Sequence, residues 1–184
     1  MFNSKKLTAC FLVHANLQYA EIPSSQIKDV VDKSYIPALD IFINYPKVKV
    51  VMDFSGVTLE ILAKDYPQVV ERLRKLISSG NVELCGSTYA HPILPLIPLD
   101  HAKKQIEGFN EIYQSLFGDL GIKPVGFFPP EYFFDASLIP LFVEMGFKWI
   151  PVNSIQLVNS LSKRINNPLK PPLKQKELDR KSVV

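Results

Sequence analysis

The residue with the clearest capacity for chemistry is a glutamate between prolines and aromatic side chains. Glu131 lies in the stretch 127–135, FFPPEYFFD, between a predicted strand and a predicted helix. Two prolines restrict the turn that presents its carboxylate, and the aromatic faces suit a ligand with an apolar surface, such as a sugar. We therefore predict that Glu131 is a nucleophile or a general acid. The alternative, a surface glutamate favoured by a helix dipole, would not need so many aromatic neighbours.

Three more polar residues lie at or just past the ends of predicted strands. His14, Asp53 and Glu83 each belong to a different strand-to-helix unit, and parallel α/β folds bind ligands beyond the carboxyl ends of their strands. A charged residue such as Glu83 inside a buried strand is costly unless it is paired, so we predict that it contacts the substrate or supports the chemistry. Asp53 could belong to the site or serve the turn at 54–56.

A polar, proline-rich loop at 86–98 adds two further candidates, Tyr89 and His91. For His91, contact with a ligand and bracing of the loop remain open alternatives. Asp135 is predicted to be a helix cap rather than a second catalytic carboxylate. His101, just inside a predicted helix, is predicted to be solvated.

The elements that must position these residues alternate along the chain. Apolar runs predict buried strands, and helical spacing with capping residues Ser24 or Ser25, Asp100 and Asp135 predicts helices between them. The alternation implies an α/β fold with parallel strands and right-handed crossovers. The predicted strands are 8–13, 47–54, 81–85, 124–128 and 147–152. Five strands cannot close a barrel of seven or eight, so we expect an open sheet or the front part of a barrel.

Composition limits the class of protein. The 184 residues, 47% hydrophobic, suit one globular domain. Residues 1–160 carry 14 basic and 16 acidic side chains, which argues against a nucleic-acid-binding surface. Cys10 and Cys85 lie in apolar runs and are predicted to be buried free thiols. No apolar run has the length of a membrane span, and the segment 5–13 makes a poor secretory signal, so a cytoplasmic location is expected.

The end of the chain has a different character. Residues 161–184 hold seven basic and two acidic side chains and no sustained apolar period. We therefore divide the chain into a folded part, 1–160, and a tail, 161–184, predicted to be disordered or disrupted by a shift of reading frame.

Three stretches of the sequence resemble glycoside hydrolase family 57. His14-Ala15-Asn16 is similar to its first motif, although the family more often has His-Gln-Pro. Residues 55–60 together with 80–95 resemble its second motif and the run before it, and 126–131 resembles its third motif. The resemblance covers roughly residues 8–155.

This resemblance implies an incomplete (β/α)7 barrel of which about five units are present. Members of the family act on α-glucans with retention of configuration, as amylases, glucanotransferases, branching enzymes and amylopullulanases, and some cleave α-galactosides. They use no obligatory metal, so no cofactor is expected. By motif match Glu131 would be the nucleophile, and His14, Glu83 and His91 would line the sugar subsite. Asp53 and Tyr89 complete the residues predicted to contact an α-glucan or oligosaccharide substrate.

One departure from the family concerns the second carboxyl group. A retaining mechanism needs a general acid/base about 5–5.5 Å from the nucleophile, and the family takes it from a later motif. None of the carboxylates after Glu131 lies in a convincing motif; they are Asp135, Glu144, Glu177 and Asp179. We therefore expect a truncated or frame-disrupted copy, or one piece of a split enzyme whose partner polypeptide supplies the rest of the barrel.

Two other functions remain as alternatives. The chain could be an inactive remnant or a carbohydrate-binding partner subunit. It could also be a metal-dependent polysaccharide deacetylase, which needs His and Asp ligands. Against that, His91 and His101 are ten residues apart, and no Asp-Asp pair follows the first strand.

Overall fold

The structure is a computed structural model that describes residues 10–18 and 22–165. Strand β1 (Phe11–Ala15) pairs in parallel with β2 (Val50–Phe54), and β2 pairs in parallel with β3 (Val82–Leu84). The sheet order β1-β2-β3 follows the chain. These are the first three predicted strands, and they establish the α/β class.

Between β1 and β2, residues 24–44 form one long helical stretch of mixed geometry. Ser24 and Ser25 do not cap it, because the extended cap position belongs to Pro23, which makes no side-chain capping bond. The stretch consists of a 3-10 turn (Ser24–Gln26), α1 (Ile27–Val30), a π-helical turn (Val31–Tyr35) and α2 (Ile36–Asn44).

Two helices join β2 to β3. Helix α3 (Gly56–Asp65) is capped by the Ser55 hydroxyl, which accepts a hydrogen bond from the backbone N–H of Thr58. Helix α4 (Pro67–Ser78) has proline in its first turn, where the missing N–H has no helical partner to lose. Its buried side chains follow the predicted period, and the chain leaves it through Gly80 at φ +67°.

Helix α5 (Leu99–Phe117) follows the loop after β3. The prediction that Asp100 caps it is wrong, because Pro98 occupies the cap position and Asp100 lies within the first helical turn. A carboxylate there still interacts favourably with the helix dipole.

The fourth and fifth predicted strands do not form extended strands. Parallel pairing is reduced to single bridges, one between Gly86 and Phe127 and one between Gly126 and Trp149. Prolines at 124, 129, 130 and 151 flank these segments and cannot donate to a ladder, which limits the pairing. All five segments nevertheless lie side by side in chain order.

The last two described helices come near the end of the predicted folded part, and the second of them continues past residue 160. Asp135 accepts a hydrogen bond from the N–H of Ser137 and so caps a 3-10 turn (Ala136–Leu138) that continues into α6 (Ile139–Glu144). This confirms its predicted role. Helix α7 (Ser154–Ile165) extends five residues into the segment predicted to lack order. The rest of that predicted tail, 166–184, lies outside the described residues.

Two hydrophobic clusters form the core. The larger one joins the three strands to the helices from α1 to α5, and the smaller one joins α5 and α6 to Phe127 and Phe147. Cys85 is buried as predicted, whereas Cys10 is exposed, because it precedes the first residue of β1. Neither forms a disulfide. Among the described residues, no helix is both long and apolar enough to cross a membrane.

Candidate functional site

Strand register brings His14 and Asp53 together. They are direct partners across the parallel pair of β1 and β2, and His14 Nδ1 lies 2.6 Å from Asp53 Oδ2. Asp53 is fully buried, while 33% of the His14 side chain is exposed. The buried carboxylate therefore fixes the orientation of a histidine ring that still reaches solvent.

A buried hydroxyl network holds the two strand ends in place. The Ser55 and Thr58 hydroxyls are 2.8 Å apart, and Thr58 Oγ1 accepts a hydrogen bond from the N–H of Leu17. Ser55 Oγ also donates to Asn16 Oδ1 over 3.3 Å. The start of α3 is thus tied to the loop that follows His14.

The loop after β3 carries His91 into the same region. The His91 ring centroid lies 4.8 Å from that of His14, and only 8% of its side chain is exposed. Its backbone is left-handed, with φ 57°. Burial lowers the pKa of His91, His14 lowers it further, and Asp53 partly offsets both. His91 is therefore favoured in its neutral form.

Glu131 lies beside His91 on a strained turn. One carboxylate oxygen, Oε1, is 3.7 Å from His91 Nε2, and 52% of the Glu131 side chain is exposed. Glu131 has φ 57° and ψ 23°, and Tyr132 has φ 54°. A carboxylate presented to solvent beside a buried histidine is placed to meet an incoming ligand.

Phe128 connects these residues through its aromatic ring, and sequence reasoning had not separated it from its aromatic neighbours. Its ring stacks on His14 with centroids 5.3 Å apart and lies 6.5 Å from His91 at nearly the same angle. The Tyr132 ring packs edge-on against Phe128, with ring centroids 4.8 Å apart. Phe127 instead packs into the smaller core cluster.

Glu83 lies on the same face of the sheet as Asp53, one step further from the strand ends. Its register partner is Val51, two residues before Asp53, and strand side chains repeat every two residues. The expectation of a buried charge is wrong, because Glu83 is exposed. Its carboxylate accepts a hydrogen bond of 3.1 Å from Trp149 Nε1. The role of Trp149 was not apparent from the sequence.

The structure does not bring Tyr89 to this group. Its ring packs close to Gly56 and Gly108, on α3 and α5, and its hydroxyl lies 2.6 Å from the Glu60 carboxylate, to which it donates. His101 is exposed on α5, as predicted.

Three of the assembled side chains form a set that could hold a metal ion. One ligand atom each from His14, Asp53 and His91 lies within 4.8 Å of the others. The sequence comparison of His91 with His101 missed this set, because its members come from separate elements 39 and 38 positions apart. The register of β1 and β2 could have suggested only the pairing of His14 with Asp53.

A parallel α/β scaffold with polar side chains at the carboxyl ends of its strands is the arrangement in which α/β proteins bind their ligands. The family model for Glycosyl hydrolase family 57 matches residues 7–176. The chain belongs to this family.

Named relatives and solved structures agree with this membership. Alpha-amylase 1 of Dictyoglomus thermophilum is 28% identical over 127 residues, which is 69% of this chain and 18% of that protein. The crystal structure of 4-alpha-glucanotransferase from Thermococcus litoralis superposes with a TM-score of 0.70 at 26% identity, covering 78% of this chain and 22% of that one. The chain spans about a fifth of the length of the curated relatives it matches.

A third match shares the fold alone. A putative polysaccharide deacetylase from Mycobacterium smegmatis superposes with a TM-score of 0.55 at 16% identity, over 78% of this chain and 51% of that one. The α/β architecture is therefore common to proteins whose names denote different chemistries.

Proposed function

We propose that this chain carries the nucleophile half of a retaining glycosidase or transglycosidase that acts on α-glucans. The observation that carries the proposal is the position of Glu131, whose carboxylate lies 3.7 Å from His91 and opens to solvent. Relatives named alpha-amylase and 4-alpha-glucanotransferase support the substrate class.

In the proposed reaction a carboxylate oxygen of Glu131 attacks the anomeric carbon of a glucosyl unit. The bond to the leaving group breaks as the glycosyl–enzyme ester forms, and water or a second sugar later takes the glycosyl unit. His14 and His91 would hydrogen-bond the sugar hydroxyls. Asp53 and Phe128 are buried, and they would hold the His14 ring in place through the hydrogen bond and the ring stacking described above. Glu83, oriented by Trp149, would contact the sugar from the same face of the sheet.

A second part of the proposal concerns the carboxyl group that acts as general acid. Asp135 is a helix cap and Glu144 forms an ion pair of 2.6 Å with Lys103, so neither is free to protonate a leaving oxygen. We propose that another polypeptide segment supplies this carboxyl group together with the rest of the barrel.

A glucosyl donor that needs no protonation tests the nucleophile alone. Fluoride departs with its electron pair without an acid, so a fluorinated α-glucosyl fluoride should label the full chain once. Mass spectrometry of digested protein should place the label on Glu131. Glu131→Gln should abolish it, while the control Glu144→Gln should keep it.

The outcomes separate the candidate functions. Labelling that persists in Glu131→Gln would refute the nucleophile assignment. A cooperatively melting chain that takes no label would support the inactive remnant or binding subunit instead. Maltooligosaccharide, whose leaving oxygen needs protonation, should be turned over slowly or not at all by the chain alone, since general acid–base catalysis contributes about 10²–10⁴-fold.

A further inference from the structure

Three elements place two imidazoles and one carboxylate around a single point. His14 comes from the end of β1, Asp53 from the end of β2 and His91 from the loop after β3, with one donor atom of each within 4.8 Å of the others. The Phe128 ring stacks on the His14 imidazole, and its centroid lies 6.5 Å from that of His91. The arrangement thus combines ligand atoms with an apolar wall.

Several of these atoms are buried without a hydrogen-bond partner. Asp53 has no exposed surface and its Oδ1 accepts no hydrogen bond from the described residues. His91 is nearly buried, and neither of its ring nitrogens has a hydrogen-bond partner there. An unsatisfied buried polar group costs about 1–3 kcal/mol. Two adjacent side chains with this cost indicate that an ion or a ligand binds them.

We propose that His14, Asp53 and His91 together bind a divalent transition-metal ion of the Zn²⁺ class. Two imidazole nitrogens and a carboxylate oxygen are donors that Zn²⁺ prefers, and a three-residue set leaves a coordination position for water or a ligand hydroxyl. This proposal goes beyond the glycosidase reaction, which requires no metal.

The geometry requires only a local adjustment. Metal bonds of about 2.0–2.2 Å in a tetrahedron put donor atoms roughly 3.3–3.5 Å apart. The present 2.6 Å between His14 and Asp53 is shorter and the widest gap of 4.8 Å is longer. His14 can move, since a third of its side chain is exposed. The ion would take the place of the proton between His14 and Asp53, which leaves to solvent.

The test measures Zn²⁺ binding to the full chain by calorimetry after removal of metals with a chelator. We expect one ion per chain in the wild type. His91→Ala and His14→Ala should weaken binding by at least about 100-fold, because each removes a ligand and even outer-shell changes cost 10–100-fold. His101→Ala, which removes an exposed histidine on α5, should bind as the wild type does. Co²⁺ should give the absorption spectrum of a four- or five-coordinate site in the wild type and in His101→Ala, but not in His91→Ala or His14→Ala.

Binding equal in His91→Ala and wild type would overturn the proposal, as would a wild type that binds no ion or loses it through His101→Ala. His91→Gln gives a second variant if His91→Ala fails to fold, and thermal melting with and without Zn²⁺ checks each protein. Labelling of Glu131 by the glucosyl fluoride is measured without metal and Zn²⁺ binding is measured without sugar, so failure of the metal proposal and failure of the nucleophile proposal give different results.

Discussion

Three residues at the candidate site hold left-handed backbone conformations although none is a glycine. They are His91, Glu131 and Tyr132, with φ of 57°, 57° and 54°. This conformation costs on the order of 1–2 kcal/mol for a residue with a Cβ atom. Surrounding contacts must compensate, and the packing of Tyr132 against Phe128 is one of them. Strain concentrated at the turn that presents Glu131 supports a role for this turn in function.

A pair of substitutions at position 131 measures this strain. Glu131→Gly should be more stable than Glu131→Ala by about 1 kcal/mol, because only glycine adopts φ near 57° without a steric penalty. Both variants lose the carboxylate, so the comparison isolates the Cβ atom. Urea unfolding supplies the two free energies. Equal stabilities would mean that the turn is unstrained in solution.

At the level of elements, the site depends on close approach between two segments that barely pair. A Cβ atom added to Gly126 would lie 2.0 Å from the Trp149 ring. The indole can therefore cross this backbone only because position 126 is glycine, and from there it donates to Glu83. The short bridge between 126 and 149 thus orients a candidate substrate-binding carboxylate.

Substitution of Gly126 should disturb this arrangement. Gly126→Ala should destabilise the fold by about 1–3 kcal/mol, as overpacking does, and should displace Trp149. Trp149 is the only tryptophan, so the emission spectrum reports its surroundings directly. Gly108→Ala is the matched control, because its added Cβ would approach no atom closer than 3.4 Å. Unchanged emission in Gly126→Ala would contradict this packing.

For the whole molecule, α5 connects the two halves of the core. Phe109, Tyr113 and Phe117 belong to the larger cluster, whereas Ala102 and Ile106 belong to the smaller one. Tyr113 is almost fully buried, and its hydroxyl donates to the backbone oxygen of Ile122 over 3.1 Å. The helix therefore couples the strands that carry His14 and Asp53 to the segment that carries Glu131.

Stability at high pH should report on this buried tyrosine. Burial raises the pKa of Tyr113 to about 12 from its ordinary 10.0. Between these pH values the unfolded chain releases the tyrosine proton while the folded chain retains it. The contribution of Tyr113 to stability therefore falls as pH rises from 10 to 12 and is unchanged below pH 10. Between pH 10 and 12 the free energy of unfolding of Tyr113→Phe should fall less than that of the wild type, by on the order of 2 kcal/mol. Tyr45→Phe, at an exposed position, is the control; equal slopes in both variants would refute the assignment.

Local pattern alone determined the first three strands, the presence of helices between them, and the Asp135 cap, whereas the predicted caps at Ser24 or Ser25 and at Asp100 were wrong. Hydrophobic period and capping chemistry act over a few residues, so they can be read directly from the sequence. The same reasoning singled out His14, Asp53 and Glu131, because they lie at or just past the ends of predicted strands, where parallel α/β folds bind ligands. His91 was selected from the polar, proline-rich loop at 86–98. The sequence pattern also predicted strands at 124–128 and 147–152, and these form only single bridges. Prolines there remove N–H groups that pairing needs.

Only the tertiary structure decided which of these residues meet. The pairing of His14 with Asp53 depends on strand register, and the approach of His91 and Phe128 depends on loops that hydrogen-bond to other elements. Tyr89, selected from the same loop as His91, packs against α3 and α5 instead. Contacts between residues dozens of positions apart arise from the folding of whole elements, and a single sequence encodes them in no local pattern.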